Sequence, residues 1–235
     1  MCVDLPMIIL AAGRGIRLGD LTGEVPKCML PINDETIIKR QVAALRECGF
    51  ERIIAVTGYR DDLMREHLED EVEYVYNEAW NTYNNIYSLY IMKDLVPEGF
   101  CLINGDVVCD PAIIEGFAAT DGTSIVIDNV KPLAEEEMKI TTVDGRLDLI
   151  NKTMDPVGAE GEYIGILRFV APESGMLFEE MERYVERGEL DVWYENAIGS
   201  AAERLRMKPW FTHGLPWLEI DTPEDYEKAQ RLFGS

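Results

Sequence analysis

Met7-Ile8-Ile9-Leu10-Ala11-Ala12-Gly13-Arg14-Gly15-Ile16-Arg17-Leu18, followed by Pro26-Lys27-Cys28-Met29-Leu30-Pro31, decides how this chain is read. The apolar run Met7 to Leu10 fits a short buried strand. Two small residues and two glycines follow it, interleaved with Arg14 and Arg17. Glycine lets the backbone turn tightly and present bare N–H groups to an anion. Guanidinium forks suit phosphate oxygens. Lys27 comes shortly after, among prolines that restrict the local backbone. Glycine-wrapped amides and three cations make a cradle for a triphosphate. The plainer reading, a tight turn between a strand and a helix, uses the same glycines. Two other phosphate loops are excluded. A dinucleotide fingerprint needs a glycine or alanine where Leu18 stands, and a P-loop needs Gly-Lys followed by Ser or Thr, which is absent.

The 235 residues are 47% hydrophobic, which suits one large α/β domain with a substantial core. Forty-four acidic against 22 basic residues leave a net charge of −22. Such a surface argues against general binding to nucleic acid or to an anionic membrane. A nucleotide is also an anion, so its site must be a local basic pocket helped by a divalent metal. Cys2, Cys28, Cys48, Cys101 and Cys109 show no metal-ligand spacing, and their number is odd. Reduced thiols in a cytoplasmic protein account for them. The apolar N-terminal stretch is too short for a signal peptide or a membrane span.

Strands and helices alternate along the first half. Helices are expected at Ile37 to Cys48, Asp61 to Leu68, Ile86 to Asp94 and Pro111 to Ala119. Strands are expected at Arg52 to Thr57, Glu73 to Tyr76 and Phe100 to Asn104. This alternation predicts an α/β fold with a mixed, mostly parallel central sheet and helices on both faces. After about residue 120 short strands take over, at Ser124 to Asn129, Lys139 to Val143, Leu147 to Ile150 and Tyr163 to Val170. Asp144-Gly145 supplies a hairpin turn. Helices follow at Ser174 to Arg187 and Tyr194 to Arg204, then a strand near Trp217 to Ile220. A last helix opens at Thr222-Pro223, with Glu224 and Asp225 in its first turn. The chain thus divides into a nucleotide-binding half, about 1–120, and a small acceptor-binding lobe, about 121–235, within one domain.

The opening loop resembles the signature of the nucleotidyltransferases built on a Rossmann-like α/β domain, which read Ala-Ala-Gly-x-Gly-x-Arg-Leu and continue to a Pro-Lys segment. That resemblance implies nucleotide contacts by Ala11, Ala12, Gly13, Arg14, Gly15 and Gly105, and catalytic roles for Arg17 and Lys27. Asp106 and Asp221 each follow an apolar strand, where ligands of open α/β sheets bind, although such an aspartate also serves as a turn or cap residue. Mg²⁺ takes one or two carboxylates together with substrate phosphates and water. The family carries metal-binding aspartates at these two places, so Asp106 and Asp221 are the candidate Mg²⁺ ligands. Glu219 shares a strand face with Asp221 and is its neighbour.

Asn77 to Leu89 is dense in amides and aromatics and resembles the cytidylyltransferase branch acting on phosphocholine or 2-aminoethylphosphonate. Elements around Glu137-Met138-Lys139, Asp144-Gly145-Arg146, Ile150-Asn151-Lys152, Glu162 to Ile166 and Trp193-Tyr194-Glu195 occur there in similar order, so the resemblance spans nearly the whole chain. It makes Asn85 and Ser88 candidates to meet the base or sugar, or else a helix cap and a core residue. Lys139 and Lys152 are candidates for the acceptor phosphate, or else surface lysines. Tyr83, Trp193 and Tyr194 are candidates to enclose a cationic amine, with Asp191, Glu195 and Glu219 adding negative charge, or else core aromatics.

The resemblance therefore implies transfer of CMP from CTP to a small phosphorylated or phosphonate amino-alcohol, with release of pyrophosphate. A phosphate monoester is already largely dianionic at neutral pH, so no strong base is needed. That suits a chain whose two histidines, His67 and His213, lie outside any motif. Sugar-1-phosphate and inositol-phosphate acceptors remain open, as does a non-catalytic nucleotide-sensing subunit. A molybdopterin nucleotidyltransferase shares the fold, but its later motifs fit less well. Oligomeric state is not legible.

Overall fold

The computed structural model describes residues 3–234. In chain order it places β1 (Met7–Leu10), a loop coiled into 3-10 turns at Ile16–Thr22 and Lys27–Met29, β2 (Pro31–Ile32), β3 (Glu35–Thr36) and α1 (Ile37–Glu47). There follow β4 (Ile53–Thr57), α2 (Asp61–Leu68), β5 (Glu73–Tyr76), α3 (Asn85–Tyr90), β6 (Gly99–Asn104), β7 (Val107–Cys109) and α4 (Pro111–Ala118). The second half holds β8 (Ser124–Asp128), β9 (Lys139–Val143), β10 (Arg146–Asn151), β11 (Gly161–Val170), α5 (Glu173–Arg187), α6 (Tyr194–Ala201), β12 (Lys208–Phe211), β13 (Trp217–Glu219) and α7 (Pro223–Phe233).

The central sheet runs β10-β9-β11-β6-β1-β4-β5, and β8 and β12 extend from β11. β6, β1, β4 and β5 are parallel neighbours, as are β8 and β12, whereas β11 lies antiparallel to β6, β8 and β9. The mixed sheet expected from the sequence is therefore present. Its alternating side chains build two cores. Ile8, Ile54, Val56 and Leu102 face α3, α5 and α6, while Met7, Ile9, Ile53, Ala55 and Ile103 face α1, α2 and α4. Burial on both faces explains why these strands read as continuous apolar runs.

Two helices end earlier than expected. The helix expected to reach Asp94 ends at Tyr90, and the one expected to reach Arg204 ends at Ala201 before a 3-10 turn. Trp217–Glu219 does not join the central sheet; it pairs antiparallel with β7 in a separate two-stranded ribbon. β12, which contains Pro209, lies outside the strands expected from the sequence. Proline lacks an N–H, which is tolerated at a sheet edge, and β12 has β8 as its strand neighbour.

A third, smaller core of Leu18, Leu30, Ile32, Ile37, Val108, Ile220 and Ala229 ties the glycine-rich loop to β7, β13 and α7. Cys28 and Cys101 are buried free thiols, and Cys48 and Cys109 are half-buried free thiols; Cys2 lies outside the described residues. Among the described residues no helix is long and apolar enough to cross a membrane.

Ile9 sits fully buried in the central strand. Ile9→Ala is expected to cost about 2–5 kcal/mol through lost transfer energy and a cavity. Leu149→Ala, at a 49% exposed position, is expected to change stability by less than about 0.5 kcal/mol. Urea unfolding of both variants checks the contrast.

Candidate active site

β1 and β6 are parallel neighbours in register, Leu10 opposite Asn104, so the loops leaving them emerge side by side. Gly105 N donates to the Leu10 carbonyl at 3.0 Å. A Cβ at Gly105 would lie 2.8 Å from that same oxygen, so a larger residue would push the Asp106 turn away from β1. β13 then brings in Asp221. Ile220 N donates to the Asp106 carbonyl at 3.0 Å, and β13 pairs Glu219 with Val107. Two residues before Glu219, the Trp217 Nε1 donates to the buried Asp128 carboxylate at 2.7 Å and ties β13 to β8.

Lys27 closes the arrangement. Its Nζ lies 2.7 Å from Asp106 Oδ2 and 2.7 Å from Asp221 Oδ1, and an Arg17 guanidinium nitrogen lies 2.7 Å from Asp221 Oδ2. Gly15 makes this approach feasible: its φ is +79°, and a Cβ there would fall 2.9 Å from the Lys27 Cβ. Burial alone would lower the Lys27 ammonium, but the Asp106 and Asp221 carboxylates outweigh it and keep the group protonated. Burial likewise opposes the Asp221 charge, yet Lys27 and Arg17 hold this carboxyl below its ordinary range.

Asp106, Glu219 and Asp221 each offer an oxygen within 4.8 Å of the others. Asp106 Oδ1 is buried without a hydrogen-bond partner. Glu219 is exposed, yet partial desolvation and the charges of Asp106 and Asp221 push its carboxyl above the ordinary carboxylate range. Three oxygen donors, one of them orphaned, suit a hard divalent cation such as Mg²⁺.

The loop's outer wall is Gly58-Tyr59-Arg60, which directly follows β4. The Arg14 guanidinium lies over the Tyr59 ring at 5.5 Å. Tyr59 Oη donates to the Gly23 carbonyl at 2.7 Å, and Arg60 donates to the Glu24 carbonyl at 2.8 Å. Ala11 and Ala12 are buried beneath the loop, while Gly13 is exposed.

On the other side of the carboxylates, the Lys152 ammonium sits 4.8 Å from the centre of the Trp193 ring. Trp193 and Tyr83 are both exposed, and Tyr83 packs edge-on against Tyr87. Glu195 is buried with one oxygen unpartnered. Burial pushes its carboxyl up to about 7.

Several residues singled out from the sequence have other work. Lys139 is fully buried, and its ammonium donates to the carbonyls of Ala134, Glu135 and Glu137. All three of its protons are used, so its assignment to the acceptor phosphate is withdrawn. Tyr194 is a core residue, not a pocket wall: it is fully buried, and its hydroxyl meets Asn104 Oδ1 at 3.0 Å and the Tyr163 hydroxyl at 2.9 Å. Asn85 Oδ1 accepts from Tyr194 N at 3.0 Å, and the buried Ser88 hydroxyl accepts from Asn77 at 2.9 Å. Both polar groups serve the joint between α3 and α6 and the end of β5.

Glu195 generates a test. Its carboxyl holds a proton to higher pH when folded than when unfolded, so its contribution is present below the ordinary carboxylate range and is lost as pH rises toward 7. Burial pushes Glu162 up to about 7 as well. Stability by urea unfolding is expected to fall between pH 5 and 7, and Glu195→Gln is expected to flatten that slope in part. An unchanged slope in the variant contradicts the buried-carboxyl account.

Comparison with known proteins identifies the family. The MobA-like NTP transferase domain model matches residues 7–132. A bifunctional IPC transferase and DIPP synthase from Aquifex aeolicus is 28% identical over 95% of this chain and 50% of its own length. A CMP-5'-(3-aminopropyl)phosphonate synthase from Streptomyces rubellomurinus is 27% identical over 98% of this chain and 39% of its own. This chain thus spans half or less of those two relatives. A choline-phosphate cytidylyltransferase from Streptococcus pneumoniae is 25% identical over 96% of both chains. The solved CTP:phosphocholine cytidylyltransferase of Streptococcus pneumoniae shares the fold, with a TM-score of 0.86, 24% identity, and coverage of 97% of this chain and 99% of that one. With a matching domain across more than half its length, the chain belongs to the MobA-like NTP transferase family of nucleotidyltransferases.

Proposed function

We propose that the chain transfers CMP from CTP to the phosphate or phosphonate oxygen of a small amino-alcohol and releases pyrophosphate. The observation that carries this reading is the Lys27 ammonium held at 2.7 Å from both Asp106 and Asp221, beneath a glycine-rich loop that also presents Arg17. A nucleoside triphosphate needs such a strip of cations beside a pair of carboxylates. The names of the phosphonate synthase and the choline-phosphate enzyme support CTP as donor and an amino-alcohol as acceptor.

In this reading residues of about 1–120 hold the nucleotide and those of about 121–235 hold the acceptor. The loop amides from Ala12 to Gly15 and the Arg14 side chain receive the triphosphate. Arg17 and Lys27 turn from the carboxylates to the phosphate oxygens and offset charge on the α-phosphate and the leaving pyrophosphate. Asp106 and Asp221 hold Mg²⁺, which when bound supplies charge neutralisation along the triphosphate. Lys152 binds the acceptor's phosphate. Trp193 and Tyr83 face its cationic end. An acceptor oxygen forms a bond to the α-phosphorus as the bond from that phosphorus to the bridging oxygen breaks, and the electron pair leaves on pyrophosphate. Both reactants arrive ionised, so the protein contributes alignment and charge rather than a base. Inositol phosphate is the second reading, since a solved inositol-1-phosphate CTP transferase from T. maritima shares the fold with a TM-score of 0.81.

A pyrophosphate-release screen of four nucleoside triphosphates against phosphocholine, 2-aminoethylphosphonate, phosphoethanolamine, inositol phosphate and sugar phosphates decides among these. CTP with an amino-alcohol acceptor is expected to be fastest. Release with none of the pairs contradicts catalysis and favours a sensing subunit. Lys27→Ala is expected to lower turnover at least about a hundredfold while leaving cooperative unfolding in place. Near-normal turnover in that variant removes Lys27 from the mechanism.

A further inference from the structure

Gln41 lies on the buried face of α1 among Ile38, Val42 and Leu45, and is 4% exposed. Its amide nitrogen donates to the Asn104 carbonyl at 2.9 Å and to the Val107 carbonyl at 2.8 Å. Those two carbonyls bracket Gly105 and Asp106, so one side chain spans the turn that carries the carboxylate. The orientation is forced, because the reversed amide would set its oxygen against two carbonyl oxygens. The price is visible at the other end, where Gln41 Oε1 is buried without a partner. An orphaned buried acceptor is destabilising, and an apolar residue would avoid it at a helix position otherwise surrounded by aliphatic side chains.

Apolar packing joins α1 to β7 through Ile38, Val42 and Val107, and a pocket of about 210 Å³ lined by Gln41, Val107, Cys109 and Ile114 among others opens beside that contact. From the front, Ile220 N fixes the Asp106 carbonyl at 3.0 Å. The turn is thus held by hydrogen bonds on three sides, from Gln41 on α1, from Gly105 N to the Leu10 carbonyl of β1, and from the segment that leads into Asp221.

We infer that Gln41 is a positioning residue: its amide clamps the Gly105-Asp106 turn from behind so that the Asp106 carboxylate stands opposite Asp221 at the spacing a divalent cation requires. This rests on the reading of Asp106 and Asp221 as cation ligands. Gln41 does not touch the cation or either substrate. Its effect on chemistry passes through the backbone on either side of Asp106.

The test uses Mn²⁺ as the probe, titrated into the full chain and followed by electron paramagnetic resonance, with thermal unfolding measured in parallel. Gln41→Leu keeps the volume near normal and deletes both donors; it is expected to weaken Mn²⁺ binding at least tenfold. Val42→Ala trims the next residue on the same helix without touching the turn. It is expected to lower the melting temperature and leave Mn²⁺ binding at the wild-type value. Mn²⁺ binding by Gln41→Leu within twofold of wild type overturns the inference. So does an equal loss in Val42→Ala, which would mean that helix packing alone is at work. If Gln41→Leu does not unfold cooperatively, Gln41→Met supplies the same deletion with a more pliant side chain. Asp106→Asn separates the two layers of the argument. Unchanged Mn²⁺ binding in that variant, or none in the wild type, overturns the cation reading itself, whereas loss in Asp106→Asn with none in Gln41→Leu overturns only the role of Gln41.

Discussion

The contact on which the rest depends is the Lys27 ammonium lodged between Asp106 and Asp221. Three carboxylates converge there with Glu219, and like charges at such range cannot all ionise without a compensating cation. Lys27 and Arg17 supply the compensation from the first thirty residues of the chain, while Asp221 comes from near its end. Bringing them together needs β1 beside β6, the tight Gly105 contact with Leu10, and β13 laid along β7. A small core that includes Leu18, Leu30, Val108 and Ile220 fastens the same segments from below.

This arrangement also resolves the tension between a net charge of −22 and an anionic substrate. Long-range repulsion from an acidic surface is screened over roughly 10 Å at physiological salt, so a few cations in a recessed site can dominate locally. Arg14 and Arg17 are exposed on the loop, Lys27 is half-buried under it, and Lys152 lies against the Trp193 ring. Asp106 and Asp221 pair Lys27, Asp221 also pairs Arg17, and the rings of Tyr59 and Trp193 hold Arg14 and Lys152.

Much of this was legible in the residues. The apolar runs at Met7–Leu10, Ile53–Thr57 and Phe100–Asn104 are buried on both faces and could hardly be anything but central strands. The Asp144-Gly145 turn lies where the hairpin of β9 and β10 reverses. The misreadings share a cause: composition does not reveal where a polar tip ends up. Lys139 looks like a surface or phosphate-binding lysine, yet its partners are carbonyls of the segment just before it. Tyr194 lies next to the exposed Trp193 but points into the core, because it opens α6 and meets Asn104 and Tyr163. Gln41 did leave a signal, as a polar residue on the apolar stripe of an otherwise regular amphipathic helix. Its meaning needed the turn of Asp106, which lies sixty-five positions further along the chain.

The most direct measurement is a crystal structure of the chain grown with CTP and Mg²⁺. The account predicts one ion shared by Asp106 and Asp221, a triphosphate lying along the loop from Ala12 to Arg17, and the Lys27 side chain turned from the carboxylates onto a phosphate oxygen. A triphosphate bound away from that loop, or a Lys27 still bridging Asp106 and Asp221 with the nucleotide in place, contradicts it.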